Sequence, residues 1–125
     1  MTTRRIAIGC AWIGALFFAV TGAWSFLSPH SFFTTLASYP PYTRHLFHDV
    51  GAFQLGIAAA LLAGIAGRGG LATGLWGGAV GAAMHAVSHW IDRNLGGRST
   101  DPVLLTLLAA VLAAGLIAAE RRTTR

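Results

Sequence analysis

Four long apolar segments, separated by short polar or glycine-rich links, constrain this chain of 125 residues more than any other feature. They cover about residues 6–26, 46–66, 71–91 and 103–119. Each is about 17–21 residues long, enough to cross a hydrocarbon core of about 30 Å as a helix rising about 1.5 Å per residue. The alternating pattern of a membrane β-barrel is absent, so helices are the spanning structure that satisfies the backbone in lipid. The sequence predicts an all-α fold, in which residues 1–125 form one integral membrane domain, a four-transmembrane-helix bundle.

The composition agrees with a membrane protein and excludes several other classes. Hydrophobic residues make up 54% of the chain and charged residues only 10%, whereas soluble domains carry about 25% charged residues. The net charge of +5 comes from arginines at chain ends and links, with no basic stripe interleaved with aromatics, so nucleic acid is not expected as a partner. The expected partners are the lipid bilayer and either a membrane-protein complex or a second copy. Cys10 is the single cysteine, which excludes an intrachain disulfide and a dithiol oxidoreductase.

The links between the apolar segments are of two kinds. Residues 67–70 (Gly-Arg-Gly-Gly) predict a tight turn that makes the second and third spans an antiparallel hairpin. Ser28 followed by Pro29 is typical of a helix N-terminus, and Pro40 ends the segment that follows. This segment has a short apolar face formed by Phe32, Phe33, Leu36 and Tyr39. We expect a short interfacial helix here, with an irregular aromatic loop as the alternative.

The arginines predict the orientation of the chain. With four spans, six arginines fall on one side of the membrane, namely Arg4, Arg5, Arg68, Arg121, Arg122 and Arg125. Three fall on the other side, namely Arg44, Arg93 and Arg98. Because positive residues are enriched on the cytoplasmic side, both termini are expected in the cytoplasm of a bacterial cell, with the protein in its inner (plasma) membrane.

Ionisable residues gather where the second span begins and where the third span ends. His45, His48 and Asp49 lie at the first of these places, and His85, His89 and Asp92 lie at the second. On a helix, His85, His89 and Asp92 share one stripe with Gly74, Gly78 and Gly81, and His45 and Asp49 share another with Ala52, Gly56 and Ala63. Small residues at this spacing let two helices approach closely. The sequence therefore predicts that the two stripes pack together and that the six ionisable residues meet at the extracytoplasmic end.

Imidazoles and carboxylates in this arrangement favour a metal site. Two histidines four residues apart on a helix can ligate one ion, and a carboxylate from a facing helix completes the ligand set. The candidate ligands are His45, His48, Asp49, His85, His89 and Asp92. Zinc suits this set best, with iron or copper as further options. The alternatives are a metal-free hydrogen-bonded network, a haem b held by one histidine from each helix, and a proton relay; Asp92 could also simply pair with Arg44.

Two short patterns resemble the DoxX-like family of small four-helix bacterial membrane proteins. They are Asp49-Val50-Gly51-Ala52 and His85-x-x-x-His89-x-x-Asp92, together with the phenylalanine-rich stretch before them. The resemblance implies a bundle of four membrane helices and an association with membrane redox or oxidative-stress complexes. It supplies no catalytic residues.

The function expected from these residues is that of a binding or accessory protein with an extracytoplasmic His/Asp site. The alternatives are a zinc-dependent membrane hydrolase acting on an amphiphilic substrate through a metal-activated water, and a haem b carrier.

Overall fold

The computed structural model describes residues 2–121, and every regular element in this range is helical. The elements are α1 (Thr2–Leu27), α2 (Pro29–Thr35), α3 (Arg44–Ile65), α4 (Leu71–Ile91) and α5 (Asp101–Glu120). The prediction of an all-α fold is confirmed. The short helix between the first and second spans is confirmed as α2, although it ends at Thr35, before Tyr39.

Three of these helices, α1, α3 and α5, are long and apolar enough to cross a membrane. This finding supports a membrane protein with transmembrane helices. The helix α4 has nearly the same length, 21 residues, but its glycines and the imidazoles of His85 and His89 make it less apolar. Four spanning helices are therefore less clear than the sequence predicts.

The four long helices form a ring in the order α1, α3, α4, α5, with each helix antiparallel to its two neighbours. Gly14 of α1 packs against Leu61 of α3, and Gly22 packs against Gly51, so these two helices run in opposite directions. The helix α5 is antiparallel to both of its neighbours. Cys10 near the start of α1 packs on Gly115 near the end of α5, and Trp76 near the start of α4 donates a hydrogen bond to Glu120, the last residue of α5. The start of α1, the turn after α3 and the end of α5 thus share one end of the bundle. The opposite end, called the α2 end below, carries α2 and residues 92–100.

The core is built from small and aliphatic side chains. Leu61, Leu75 and Leu112 are fully buried, as is Phe18. Alanines of α1 at positions 7, 11 and 15 are also buried and bring the neighbouring helices close. This cluster fills the middle of the ring and the end that holds the turn. The α2 end is packed differently, and the buried polar side chains Thr21, Ser25 and Gln54 lie in the half of the bundle toward it.

The interface between α3 and α4 confirms one predicted stripe and corrects the other. Gly74 lies against Ala60, where an added Cβ would come 2.7 Å from the carbonyl oxygen, and Gly81 faces Ile57. The α4 stripe is thus confirmed. The α3 stripe is wrong, because Gly56 is exposed and a Cβ on it would meet nothing within 4 Å.

The rotation of α3 has a physical cause in its contact with α1. The face that α3 buries carries Phe47, Gln54 and Leu61, which remove more apolar area from the surroundings than a row of alanines. Gln54 also finds a polar partner there, since the Thr21 hydroxyl of α1 donates a hydrogen bond to its side-chain oxygen. An amide buried among apolar helices needs such a partner, so this bond helps to set which face of α3 turns inward.

Candidate functional site

A cavity of about 310 Å³ lies inside the α2 end of the bundle. All five helices contribute to its wall, which is mainly apolar. The apolar lining includes Phe17, Phe32, Leu36, Phe47, Val50 and Leu105. The polar lining consists of Thr21, Tyr39, Gln54, His85, His89 and Asp101. The cavity therefore combines an apolar interior with a few polar groups, the usual composition of a small-molecule site.

Two histidines of α4 form the polar corner of this cavity. His85 and His89 are four residues apart, so they lie one above the other on the same face of the helix. Their Nε2 atoms are 3.1 Å apart, a hydrogen-bond distance, and both side chains are half-buried. Since a neutral imidazole carries one N–H, one of the two rings donates and the other accepts.

Tyr39 extends this pair into a chain of three groups. Its hydroxyl lies 3.0 Å from Nδ1 of His89, and the two rings meet edge to face with centroids 5.5 Å apart. Burial, and then the negative charges of Asp101 and Asp92, raise the pKa of the Tyr39 phenol above its ordinary value of 10. The phenol is therefore neutral at physiological pH and takes part in the chain as a hydroxyl group.

The loop between α4 and α5 holds Tyr39 and the end of α2 in place over the cavity. The backbone N–H of Gly97 donates to the Ser38 carbonyl at 3.0 Å. The guanidinium of Arg98 donates to the Thr35 carbonyl at 2.6 Å, a favourable position for a cation at a helix C-terminus. Asp101 completes the loop, since its Oδ2 accepts a bond of 2.8 Å from the Arg98 backbone N–H.

The ionisable residues at the start of α3 lie outside this cavity. Nε2 of His45 and Oδ2 of Asp49 lie 3.5 Å apart on the surface of α3, with side chains 84% and 50% exposed. The ring of His48 packs against Phe26 of α1, with centroids 5.3 Å apart. The neighbouring residues Phe47 and Val50 face the cavity instead.

The structure thus divides the six predicted metal ligands into two groups. His85 and His89 line the cavity, with Asp92 following at the C-terminal cap of α4, while His45, His48 and Asp49 lie on other faces of α3. Within residues 2–121, no group of three or more His, Cys, Asp or Glu side chains is placed to hold a metal ion. A bound metal, the hydrolase and the haem carrier stay predictions.

Sequence reasoning missed four of the six polar residues that line the cavity, namely Thr21, Tyr39, Gln54 and Asp101. Tyr39 is 50 positions from His89, and no helical or strand period relates the two. Asp101 is the first residue of α5, and its carboxylate accepts a hydrogen bond from the preceding loop. The signal that was available is the pair of glycines at positions 96 and 97, which indicates a close approach of two backbones at this place in the chain.

Comparisons with known proteins add nothing to this geometry, since no protein family, curated protein or solved structure matches the chain.

Proposed function

We propose that the chain is an integral membrane protein of four spanning helices, with both termini in the cytoplasm of a bacterial cell. The helix α4 is 21 residues long. It takes its place in the ring between α3 and α5, which are both apolar enough to span. Its histidines face the cavity, so they do not place a polar group against lipid. The α2 end carries Arg44, Arg93 and Arg98, whereas the described arginines of the opposite end are Arg4, Arg5, Arg68 and Arg121, which favours the α2 end as the outer one.

We propose further that the protein binds a small, mainly apolar molecule in the cavity, as a binding or accessory protein. The observation that carries this proposal is the cavity itself, about 310 Å³ with an apolar wall and one polar corner. Small-molecule sites in proteins have volumes of about 300–1,000 Å³ and the same division of polar and apolar lining. The Thr21 hydroxyl donates to the Gln54 side-chain oxygen, so the groups left to orient a ligand are the Gln54 amide nitrogen and the chain formed by Tyr39, His89 and His85.

A cavity-filling substitution tests this proposal. The protein is purified in mild detergent, extracted with organic solvent, and the extract is analysed by mass spectrometry. We expect one class of small molecule in a fixed ratio to the chain, and its loss in Val50→Phe, because Val50 lines the cavity. Val87→Phe is the matched control on the exposed face of α4 and should keep the molecule. Equal extracts from both variants would contradict the proposal.

A bound metal is the second candidate, and one distance favours it. Two zinc–nitrogen bonds of about 2.0–2.1 Å each can span the 3.1 Å between Nε2 of His85 and Nε2 of His89. The carboxylate of Asp101 lines the same cavity. Zinc, iron or copper at this place would bind through His85 and His89, two of the six residues that the sequence predicts.

Elemental analysis of protein purified without a chelating tag tests the metal proposal. We expect the double variant His85→Ala/His89→Ala to lose the metal. The matched control His45→Ala/His48→Ala removes two histidines outside the cavity and should retain it. Loss in both variants would instead favour the larger site predicted from the sequence, and absence of any metal from the unmodified protein would remove this candidate.

A further inference from the structure

The chain formed by Tyr39, His89 and His85 can run in two directions. In the first, the Tyr39 hydroxyl donates to Nδ1 of His89, Nε2–H of His89 donates to Nε2 of His85, and Nδ1 of His85 carries a hydrogen. In the second, Nε2–H of His85 donates to His89, Nδ1–H of His89 donates to the Tyr39 oxygen, and Nδ1 of His85 has a free lone pair. The distances of 3.0 Å and 3.1 Å fit both directions, since each neutral imidazole has one donor and one acceptor nitrogen.

The His85 end of this hydrogen-bonded chain is open to a ligand. Among residues 2–121, Nδ1 of His85 has no hydrogen-bond partner. No buried side-chain nitrogen or oxygen in this part of the chain lacks a partner, so this nitrogen is accessible rather than sealed. Because His85 lines the cavity, an occupant can complete its hydrogen bonding.

The charges around the cavity limit what the occupant can be. Asp101 of α5 lines the cavity, and Asp92 follows α4 at the same end. The sides formed by α1 and α3 present Thr21 and Gln54, which are uncharged. The nearby cation, Arg98, is bonded to the Thr35 carbonyl. A carboxylate in this apolar space would lose its hydration beside negative charge, which is unfavourable.

We propose that the cavity binds neutral molecules with an apolar ring body and one hydroxyl or carbonyl group, held at Nδ1 of His85. The reversible chain lets the same site hold a hydroxyl donor and a carbonyl acceptor of the same scaffold. This inference rests on the proposed function, because it names the class of ligand that the cavity takes.

Four probes on one scaffold test the inference in the purified full chain, namely tetralin, tetrahydronaphthol, tetralone and tetralin carboxylate. Tetrahydronaphthol, which is a phenol, and tetralone, which is a ketone, should each bind about 3- to 10-fold more tightly than tetralin. This is the ratio of affinities that one net hydrogen bond provides. The carboxylate should bind more weakly than either. His85→Leu should remove the advantage of both polar probes, whereas His45→Leu, the control outside the cavity, should keep it. Comparing variants in the same detergent cancels partitioning of the probes into micelles.

A second measurement on the unmodified protein does not depend on the folding of any variant. Nitrogen NMR of labelled histidine side chains should show Nδ1 of His85 protonated with tetralone and unprotonated with tetrahydronaphthol. The same state with both probes, or an advantage for only one of them, would overturn the inference. If tetralin binds and His85→Leu leaves all affinities unchanged, the inference fails and the proposed function stands. If none of the four probes binds, both fail.

Discussion

Tyr39 owes its position to a distant loop rather than to its neighbours in the sequence. Gly97 has a φ of +73°, and a methyl group on it would lie 2.6 Å from Cζ of Tyr39. A residue with a side chain is therefore disfavoured there twice, by its backbone and by the phenol ring. Gly97 thus controls whether the phenol reaches His89.

The substitution Gly97→Ala should release Tyr39 from His89. Its backbone conformation costs an L-residue about 1–2 kcal/mol, and displacement of the phenol by the methyl group loses the hydrogen bond to His89, about 0.5–1.5 kcal/mol. Gly67→Ala is the matched control, because Gly67 has a similar φ of +79° with nothing within 4 Å. Thermal unfolding in detergent should show a clearly lower Tm for Gly97→Ala than for Gly67→Ala. Equal Tm values would mean that the loop does not hold Tyr39 as described.

Asp101 acts on Tyr39 through its charge. Its carboxylate disfavours the phenolate and so contributes to the raised pKa of Tyr39, after the larger effect of burial. Asp101→Asn removes the charge but keeps an oxygen that can accept from the Arg98 backbone N–H. We expect the pKa of Tyr39 to fall in this variant, measured by the ultraviolet absorbance of tyrosinate, with Tyr39→Phe identifying the transition. A pKa that stays or rises would show that the carboxylate does not act on the phenol.

At the scale of elements, the rotation of α3 decides which residues can form a site. A methyl group at Gly51 would lie 2.7 Å from the Gly22 carbonyl oxygen and from the Phe26 nitrogen. Both atoms belong to the backbone of α1, so they cannot move aside as a flexible side chain would. Gly56, five positions later on the same helix, faces open space.

These two glycines provide a direct test of the rotation. Gly51→Ala should destabilise the protein by about 1–3 kcal/mol, because it forces α1 and α3 apart. Gly56→Ala should be neutral, or stabilising by up to about 1 kcal/mol through its higher helix propensity. The free energy of unfolding in detergent distinguishes the two. The reverse order would indicate that α3 turns the stripe of Gly56 toward its neighbours, as the sequence pattern predicts.

The elements themselves were predictable from the sequence because hydropathy and local signals define them. The third span was predicted at residues 71–91, the bounds that α4 has, and the Ser28-Pro29 signal correctly placed the start of α2. The face of α3 was not predictable in the same way. Its sequence offers one stripe of small residues and another with Phe47, Gln54 and Leu61, and the choice between them depends on contacts with α1, among them the hydrogen bond from Thr21.

At the scale of the whole molecule, the two ends of the bundle are packed differently. One end carries the tight turn at residues 66–70 and the densely packed alanine and leucine core, whereas the α2 end encloses the cavity. The orientation of the bundle in the membrane therefore decides on which side of the membrane the cavity lies. If α4 spans, the 66–70 turn and residues 92–100 lie on opposite sides. If α4 did not span, they would lie on the same side and the two termini would be separated.

Single cysteines introduced at the two ends decide between these topologies. Cys10→Ala removes the natural thiol, and Ala66→Cys and Ser99→Cys then place one exposed thiol at each end. In intact cells, a membrane-impermeant maleimide should label Ser99→Cys and should reach Ala66→Cys only after lysis, because the orientation that we propose places the arginine-rich end in the cytoplasm. The same result for the two thiols in intact cells, both labelled or both protected until lysis, would show that α4 does not span. Labelling of Ala66→Cys alone would invert the orientation and place the cavity on the cytoplasmic side, where its ligand would have to come from inside the cell.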